Sequence, residues 1–210
     1  MIRDGLRALI QSEDDLEVVA EAEDGRTAVT LAAELSPDVV VMDISMPDLN
    51  GIDATRQIKA RHASVNVVAL TAHADPRMVS SILAAGASGF LPKDAAFEEL
   101  AVAIRTVVAK KVYLSPQIAG TVVQQFAGGP QGNGTGSGNG GPFHALTPRE
   151  REVLQLMAEG KSTKGIAAAL HVSVKTVETH RRQMMVKLDL QSVAEVTKYA
   201  LREGLTSLKK

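Results

Sequence analysis

Residues 128–142 read GGPQGNGTGSGNGGP, and this run constrains the fold of the 210-residue chain more than any other. It holds eight glycines and no bulky apolar side chain, so it cannot bury enough surface to offset its ordering entropy. It is expected to be a flexible linker, about 20 Å root-mean-square from end to end. What lies on either side must fold separately. Charge divides at the same place. Residues 1–127 carry 11 Lys+Arg against 17 Asp+Glu, a net −6, and residues 143–210 carry 12 against 7, a net +5. An acidic first half and a basic second half point to nucleic acid as a partner of the second.

Several classes of function drop out on composition. With no cysteine there is neither a disulfide nor a thiolate metal site, which fits a reducing compartment. The five histidines, at 62, 73, 144, 171 and 180, lack a ligand spacing such as HxxxH and read as scattered structural or surface groups. No run approaches the ~20 apolar residues of a membrane helix. The first ten residues, MIRDGLRALI, include Asp4 and no cleavage pattern, so a signal peptide is not expected. A cytoplasmic protein is expected.

Before the linker, short apolar runs alternate with helical patterns. LEVVAEA (16–22), DVVVMD (38–43), NVVALTA (66–72) and SGFLPK (88–93) are predicted strands, the second and third apolar enough to be covered on both faces. Helical periodicity appears at Ala28/Leu31/Leu35, Ile52/Thr55/Ile58, Val79/Ile82/Leu83 and along Phe97, Leu100, Ile104, Val107 and Val108. Asp75-Pro76 and Ser115-Pro116 look like capped helix starts. The alternation predicts a doubly wound parallel sheet. In such a sheet ligands bind at the carboxyl ends of the strands, where Asp43, Thr71 and Lys93 stand. Asp43 is a candidate nucleophile for a phosphoryl group. Thr71 and Lys93 would donate hydrogen bonds to its oxygens, Lys93 also neutralising charge.

VVVMDISMPDLNG, ALTAH and AGASGFLPKD resemble the receiver domain of two-component response regulators, over residues 1 to about 115. The resemblance implies phosphorylation at Asp43, with Thr71 and Lys93 as the accompanying hydroxyl and ammonium. It also implies Phe90 as the switch aromatic and the Ser45 backbone carbonyl as a ligand, with Asp43, of Mg²⁺. A phosphatase-like aspartyl enzyme would normally show DxD, whereas Ile44-Ser45 follow Asp43. Two departures stand out. Pro92 precedes Lys93 and Asp94 follows it, where many receivers have the proline after the lysine. More seriously, the family begins with a strand ending in an acidic pair that binds Mg²⁺, and MIRDGLRALI resembles the helix after that strand. The flavodoxin-like sheet is therefore expected to lack its first, central strand, leaving neighbours without ladder partners and Asp43 as a poor Mg²⁺ site. Glu13, Asp14 and Asp15 are the nearest substitutes in sequence but fall at the wrong end of the helix. A start codon assigned within a longer receiver and a degenerate receiver both account for this.

Residues 116–127 are expected to form a connecting helix, and residues 143–210 a separate all-α domain. LTPRERE offers Thr147 as N-cap, Pro148 at N1 and Glu150 at N3. Ser162, Ser173 and Ser192 start three more helices, with HVS (171–173) as the turn between two of them. LTPREREVLQLMAEG, IAAALHVSVKTVETHRR and KYALREGL resemble the LuxR-type helix-turn-helix of NarL/FixJ-type regulators. By that resemblance Glu178, Thr179 and Arg182 fall at base edges, and Lys175, Thr176, His180, Arg181 and Lys187 at phosphates or groove walls. His180 is equally readable as half-buried packing. Gly165 stands where the family usually has Glu, which removes half of a capping box with Ser162.

The two resemblances together imply a DNA-binding transcriptional regulator of a two-component system rather than an enzyme. A sensor histidine kinase would phosphorylate Asp43, and a homodimer would bind double-stranded DNA at paired half-sites, with no membrane association. The alternative is a phosphorylation-independent regulator or interaction protein whose degenerate receiver serves dimerisation or partner binding.

Overall fold

A computed structural model of the chain describes residues 2–72, 76–120 and 145–206. The expected linker (128–142), the stretch 121–127 of the connecting helix and Asp75 lie outside the described residues. The rest forms two compact units.

The first unit contains helices α1 (Ile2–Gln11), α2 (Gly25–Leu35), α3 (Gly51–Arg61), α4 (Pro76–Ala84), α5 (Ala96–Val108) and a short α6 (116–120). They surround a sheet of β1 (Val39–Asp43), β2 (Asn66–Thr71), β3 (Gly89–Pro92) and β4 (Tyr113–Leu114), all parallel and in the order β1-β2-β3-β4. All six residues of β2 are buried, and its side chains alternate between two cores as the period-2 geometry of a strand requires. Val68 and Leu70 join Leu6 of α1 and Leu100, Ile104 and Val107 of α5 on one face. Ala69 joins Ile52 of α3 and Val79 and Ile82 of α4 on the other. The sheet is doubly wound.

LEVVAEA (16–22) is not a strand. Its apolar alternation suits a half-buried strand, but a strand also needs a neighbouring ladder. Among the described residues β1 pairs with β2 alone. Val19 is 57% exposed, and Glu21 is held by Arg3 and Arg7 of α1. Four of the five residues of β1 are only half-buried, less than the cover on both faces that its continuous apolar run suggests. At the opposite border, β4 is a two-residue strand that the sequence patterns did not reveal. The Tyr113 hydroxyl donates to Glu99 at 2.8 Å and Ser115 Oγ to the same carboxylate at 3.3 Å, tying β4 to α5.

The second unit holds α7 (Pro148–Ala158), α8 (Thr163–Ala169), α9 (Val174–Leu188) and α10 (Val193–Arg202). Each begins at the N-cap read from sequence, and Thr147 and Ser192 complete capping boxes with Glu150 and Glu195. Their shared core includes Val153, Leu154, Ile166, Leu170, Val177, Met184, Leu188 and Val196. His171 takes a left-handed φ of 53° in the HVS turn, and the Val172 N–H returns to the Ala167 carbonyl at 3.0 Å, closing α8 before α9 starts.

Gly165 behaves as half a cap. Its N–H donates to Ser162 Oγ at 3.1 Å, but no side chain can reach back. A Cβ there would meet Ser162 Oγ at 3.4 Å and Lys161 Cβ at 4.0 Å, which is ordinary contact. Gly165→Ala should therefore stabilise the second unit by about 1 kcal/mol. Urea unfolding of its helical signal, followed by circular dichroism, checks this; an unchanged or lower midpoint would contradict it.

Candidate functional site

Strand register assembles the first site. Asp43 is opposite Leu70, Thr71 is opposite Pro92, and the Lys93 N–H donates to the Thr71 carbonyl at 2.7 Å. Three neighbouring strands thus deliver Asp43, Thr71 and Lys93 to one end of the sheet. Lys93 Nζ donates to Asp43 Oδ2 at 2.6 Å, and the Ser45 N–H donates to Oδ1 at 3.0 Å. Both carboxylate oxygens are engaged, and Asp43 remains only half-buried. The Thr71 hydroxyl donates to Met78 Sδ on α4 at 3.4 Å, a partner that sequence spacing did not suggest. Phe90 is fully buried on β3 with Ile44, Ala69, Val79 and Ile118.

Gly51 is the residue of this site that sequence reasoning missed. Its N–H donates to the Ile44 carbonyl at 2.9 Å, and a Cβ on it would lie 2.1 Å from the Asp43 carbonyl oxygen. Only glycine lets α3 start this close to the chain leaving β1. The available signal was the Asn50-Gly51 pair after an apolar strand, a turn pattern in its own right.

The described residues do not fit the Mg²⁺ implied by the resemblance. Among them no cluster of three or more His, Asp or Glu could hold a metal ion. One carboxylate, already ion-paired to Lys93, and one Ser45 carbonyl fall short of the oxygen set that a hard dication requires. The nearest acids in sequence are occupied elsewhere. Glu13 and Asp15 both bind Arg105 of α5, at 2.6 and 2.5 Å, and the Arg105 hydrogen bond holds the Asp15 carboxyl below its usual range.

The second site is the outer surface of α9. At roughly 100° per residue, the core residues Val177, Met184 and Leu188 fix the buried side of the helix. Lys175, Thr179 and Arg182 fall on the opposite side within about 60° of one another, and all three are exposed. Glu178 borders this arc and is exposed too. Thr176 and Arg181 sit on the flanks, half-buried, with Thr176 Oγ1 2.8 Å from Ser173 Oγ at the N-cap. His180 turns toward the core, its Nδ1 buried and without a hydrogen-bond partner among the described residues. The packing alternative for His180 fits this position better than a groove contact.

Lys187 is also placed differently from a simple phosphate contact. Its Nζ donates to Glu150 Oε2 at 2.7 Å, tying the end of α9 to the start of α7. The Glu150 side chain is only 2% exposed. Burial pushes its carboxyl up, but Lys187 and the Thr147 N–H and hydroxyl together outweigh that and hold it below the usual range. A depressed carboxyl stabilises the fold above its ordinary pKa, and that contribution is lost as pH falls through the folded value. Glu150→Gln should cost about 1–2 kcal/mol at neutral pH. The gap to the parent should narrow as pH falls below the usual carboxylate range and through the lowered folded value. Urea midpoints across a series from pH 7 into the acid range test this, and a gap of constant size would exclude the ion pair as its source.

Comparison with known proteins finds relatives for both parts of the chain. The family model described as "Response regulator receiver domain" matches residues 1–105, and that described as "Bacterial regulatory proteins, luxR family" matches residues 144–200. Transcriptional regulatory protein LiaR of Bacillus subtilis is 37% identical over 207 residues, 99% of this chain and 95% of its own length. Oxygen regulatory protein NreC of Staphylococcus carnosus is 37% identical over 208 residues, 98% of this chain and 94% of its own. Among solved structures, a LuxR-family two-component response regulator from Aurantimonas sp. SI85-9A1 superposes with a TM-score of 0.58 at 35% identity, over 60% of this chain and 90% of that one. RcsB from Salmonella enterica serovar Typhimurium, bound to promoter rprA in the presence of phosphomimetic BeF3-, gives 0.57 at 25% identity, over 93% and 91%.

Proposed function

This chain belongs to the response regulators that join a receiver domain to a LuxR-type DNA-binding domain, and from that premise we propose that Asp43 is its phosphoryl acceptor and the exposed arc of α9 its DNA-reading surface. The observation that carries the first half is the Asp43–Lys93 pair at the carboxyl ends of the strands. A kinase phosphohistidine supplies the phosphoryl group. An Asp43 oxygen bonds to phosphorus as the P–N bond breaks, and the imidazole nitrogen keeps the electron pair and takes up a proton. Lys93 then moves from carboxylate to phosphoryl oxygen, a charge-assisted hydrogen bond in both states. Thr71, released from Met78, donates to another phosphoryl oxygen, and the packing of Phe90 against α4 gives that movement a route into the core. No step is assigned to Mg²⁺. The chemistry is self-phosphorylation, so the chain is a regulator rather than an enzyme.

The second half rests on the basic excess of residues 143–210 and on the polar arc of α9. The RcsB structure cited above is of that protein on promoter DNA, which supports a similar use here. A homodimer would set two α9 helices in successive major grooves about one helical turn apart. No helix among the described residues is long and apolar enough to cross a membrane. One observation favours a second reading. Both Asp43 oxygens are occupied and the described residues make no cation site, so a receiver used for dimerisation or partner binding without phosphate is the competing account.

Intact mass after incubation with acetyl phosphate, beside Asp43→Ala, separates the two. A single phosphoryl adduct absent from the variant supports phosphorylation control. No adduct from the folded chain supports the second reading.

A further inference from the structure

One residue on the exposed arc of α9 is apolar. Val186 lies seven residues after Thr179 and four after Arg182, which at roughly 100° per residue places it in the middle of the arc. It faces away from Val177, Met184 and Leu188 and is 76% exposed. Among the described residues of the second unit, none covers this branched apolar side chain. The surface around it is continuous with the polar arc. Val186, Arg182, Glu178 and Met185 line one open groove of about 570 Å³. Arg181, Arg182 and Gln191 line it beside the carboxylates of Glu178 and Asp189, so Val186 is an apolar spot within a mixed polar surface.

A duplex major groove offers a matching surface. Phosphates complement Lys175, base edges complement Arg182, and one apolar group projects among those edges, the 5-methyl of thymine. We propose that Val186 is a specificity-determining contact that selects thymine through its 5-methyl group, about 6 Å along the helix from Arg182. This inference rests on the reading of α9 as the DNA-reading helix and names which base one part of it selects. A β-branched valine suits the task because its stiff χ1 holds two methyl groups in fixed positions.

The test uses the full chain. A bound sequence is first selected from a random duplex pool, and each thymine in it is then replaced singly by uracil, which removes the methyl and nothing else. At one position the parent should lose about three- to fivefold in affinity, the scale of one buried methyl. Val186→Ala should lose a similar factor on the thymine duplex and be indifferent to the replacement at that position. Circular dichroism of the exposed-site variant should match the parent. Should no replacement weaken the parent, or should Val186→Ala keep the full sensitivity, the contact does not exist. A Val186→Ala loss that is equal on thymine and uracil duplexes would assign the valine to a protein contact instead. A pool that yields no enriched sequence would overturn the DNA-reading role of α9 itself.

Discussion

Gly51→Ala should destabilise the receiver unit by about 3 kcal/mol, lowering its thermal midpoint by about 12 °C or more. The added Cβ would stand 2.1 Å from the Asp43 carbonyl oxygen and 2.9 Å from both Asp43 C and Ile44 Cα. All three are backbone atoms, so no side chain can rotate aside. Either α3 retreats or the chain leaving β1 shifts, and the second movement carries Asp43 away from Lys93. The substitution should therefore lower any phosphoryl adduct at Asp43 by more than the loss of folded protein explains. Gly165→Ala is the internal control: the same chemical change where the added Cβ meets only ordinary contacts, with the opposite sign. A Gly51→Ala protein within about 1 kcal/mol of the parent would mean that this approach relaxes easily.

The sheet ends were legible from sequence because strand order and strand ends follow from simple rules. Continuous apolar runs gave β1 and β2, and the polar residue after each run gave Asp43, Thr71 and Lys93. The failures came where periodicity was asked to do what only neighbours decide. LEVVAEA has the alternation of a strand, yet it borders no ladder and stays out of the sheet. In α2 the expected stripe ran to Leu35, which is 47% exposed, whereas Ala28, Val29 and Ala32 are buried. The stripe was right at Ala28, but a reading weighted by side-chain size passes over Ala32. Gly51 was hidden for the same reason, since its importance is the absence of a side chain against a backbone oxygen.

In the second unit the four helix starts were legible because capping chemistry is local: one serine or threonine side chain and one N–H three residues on. The roles of the polar residues of α9 were harder, since all are of the types that meet DNA. Helix geometry sorts them once the core side is known. It places His180 toward the core and leaves Lys175, Thr179 and Arg182 at the centre of the exposed arc. Val186 belongs to the same arc, but a search for polar contacts overlooks a valine. Lys187 needed the tertiary structure, because its partner Glu150 lies 37 residues earlier in the chain.

That sorting sets the largest effect expected on DNA. Arg182→Ala should lower affinity for the selected duplex about 10- to 100-fold, the worth of one good base contact, and relax the preference at one base pair. Lys175→Ala should weaken all sequences alike and reduce the salt slope by about one. Both residues are on the exposed arc at opposite ends of two helical turns, so neither change removes packing. Lys187→Ala is the informative contrast. Its ammonium holds Glu150 inside the fold, so its loss should appear first in the urea midpoint and only secondarily in binding. Affinities measured across a salt series for the three variants distinguish a base contact, a phosphate contact and a structural ion pair. Parent-like binding by both Arg182→Ala and Lys175→Ala would reduce the basic face of α9 to a solvated surface and remove the DNA-reading role from this helix.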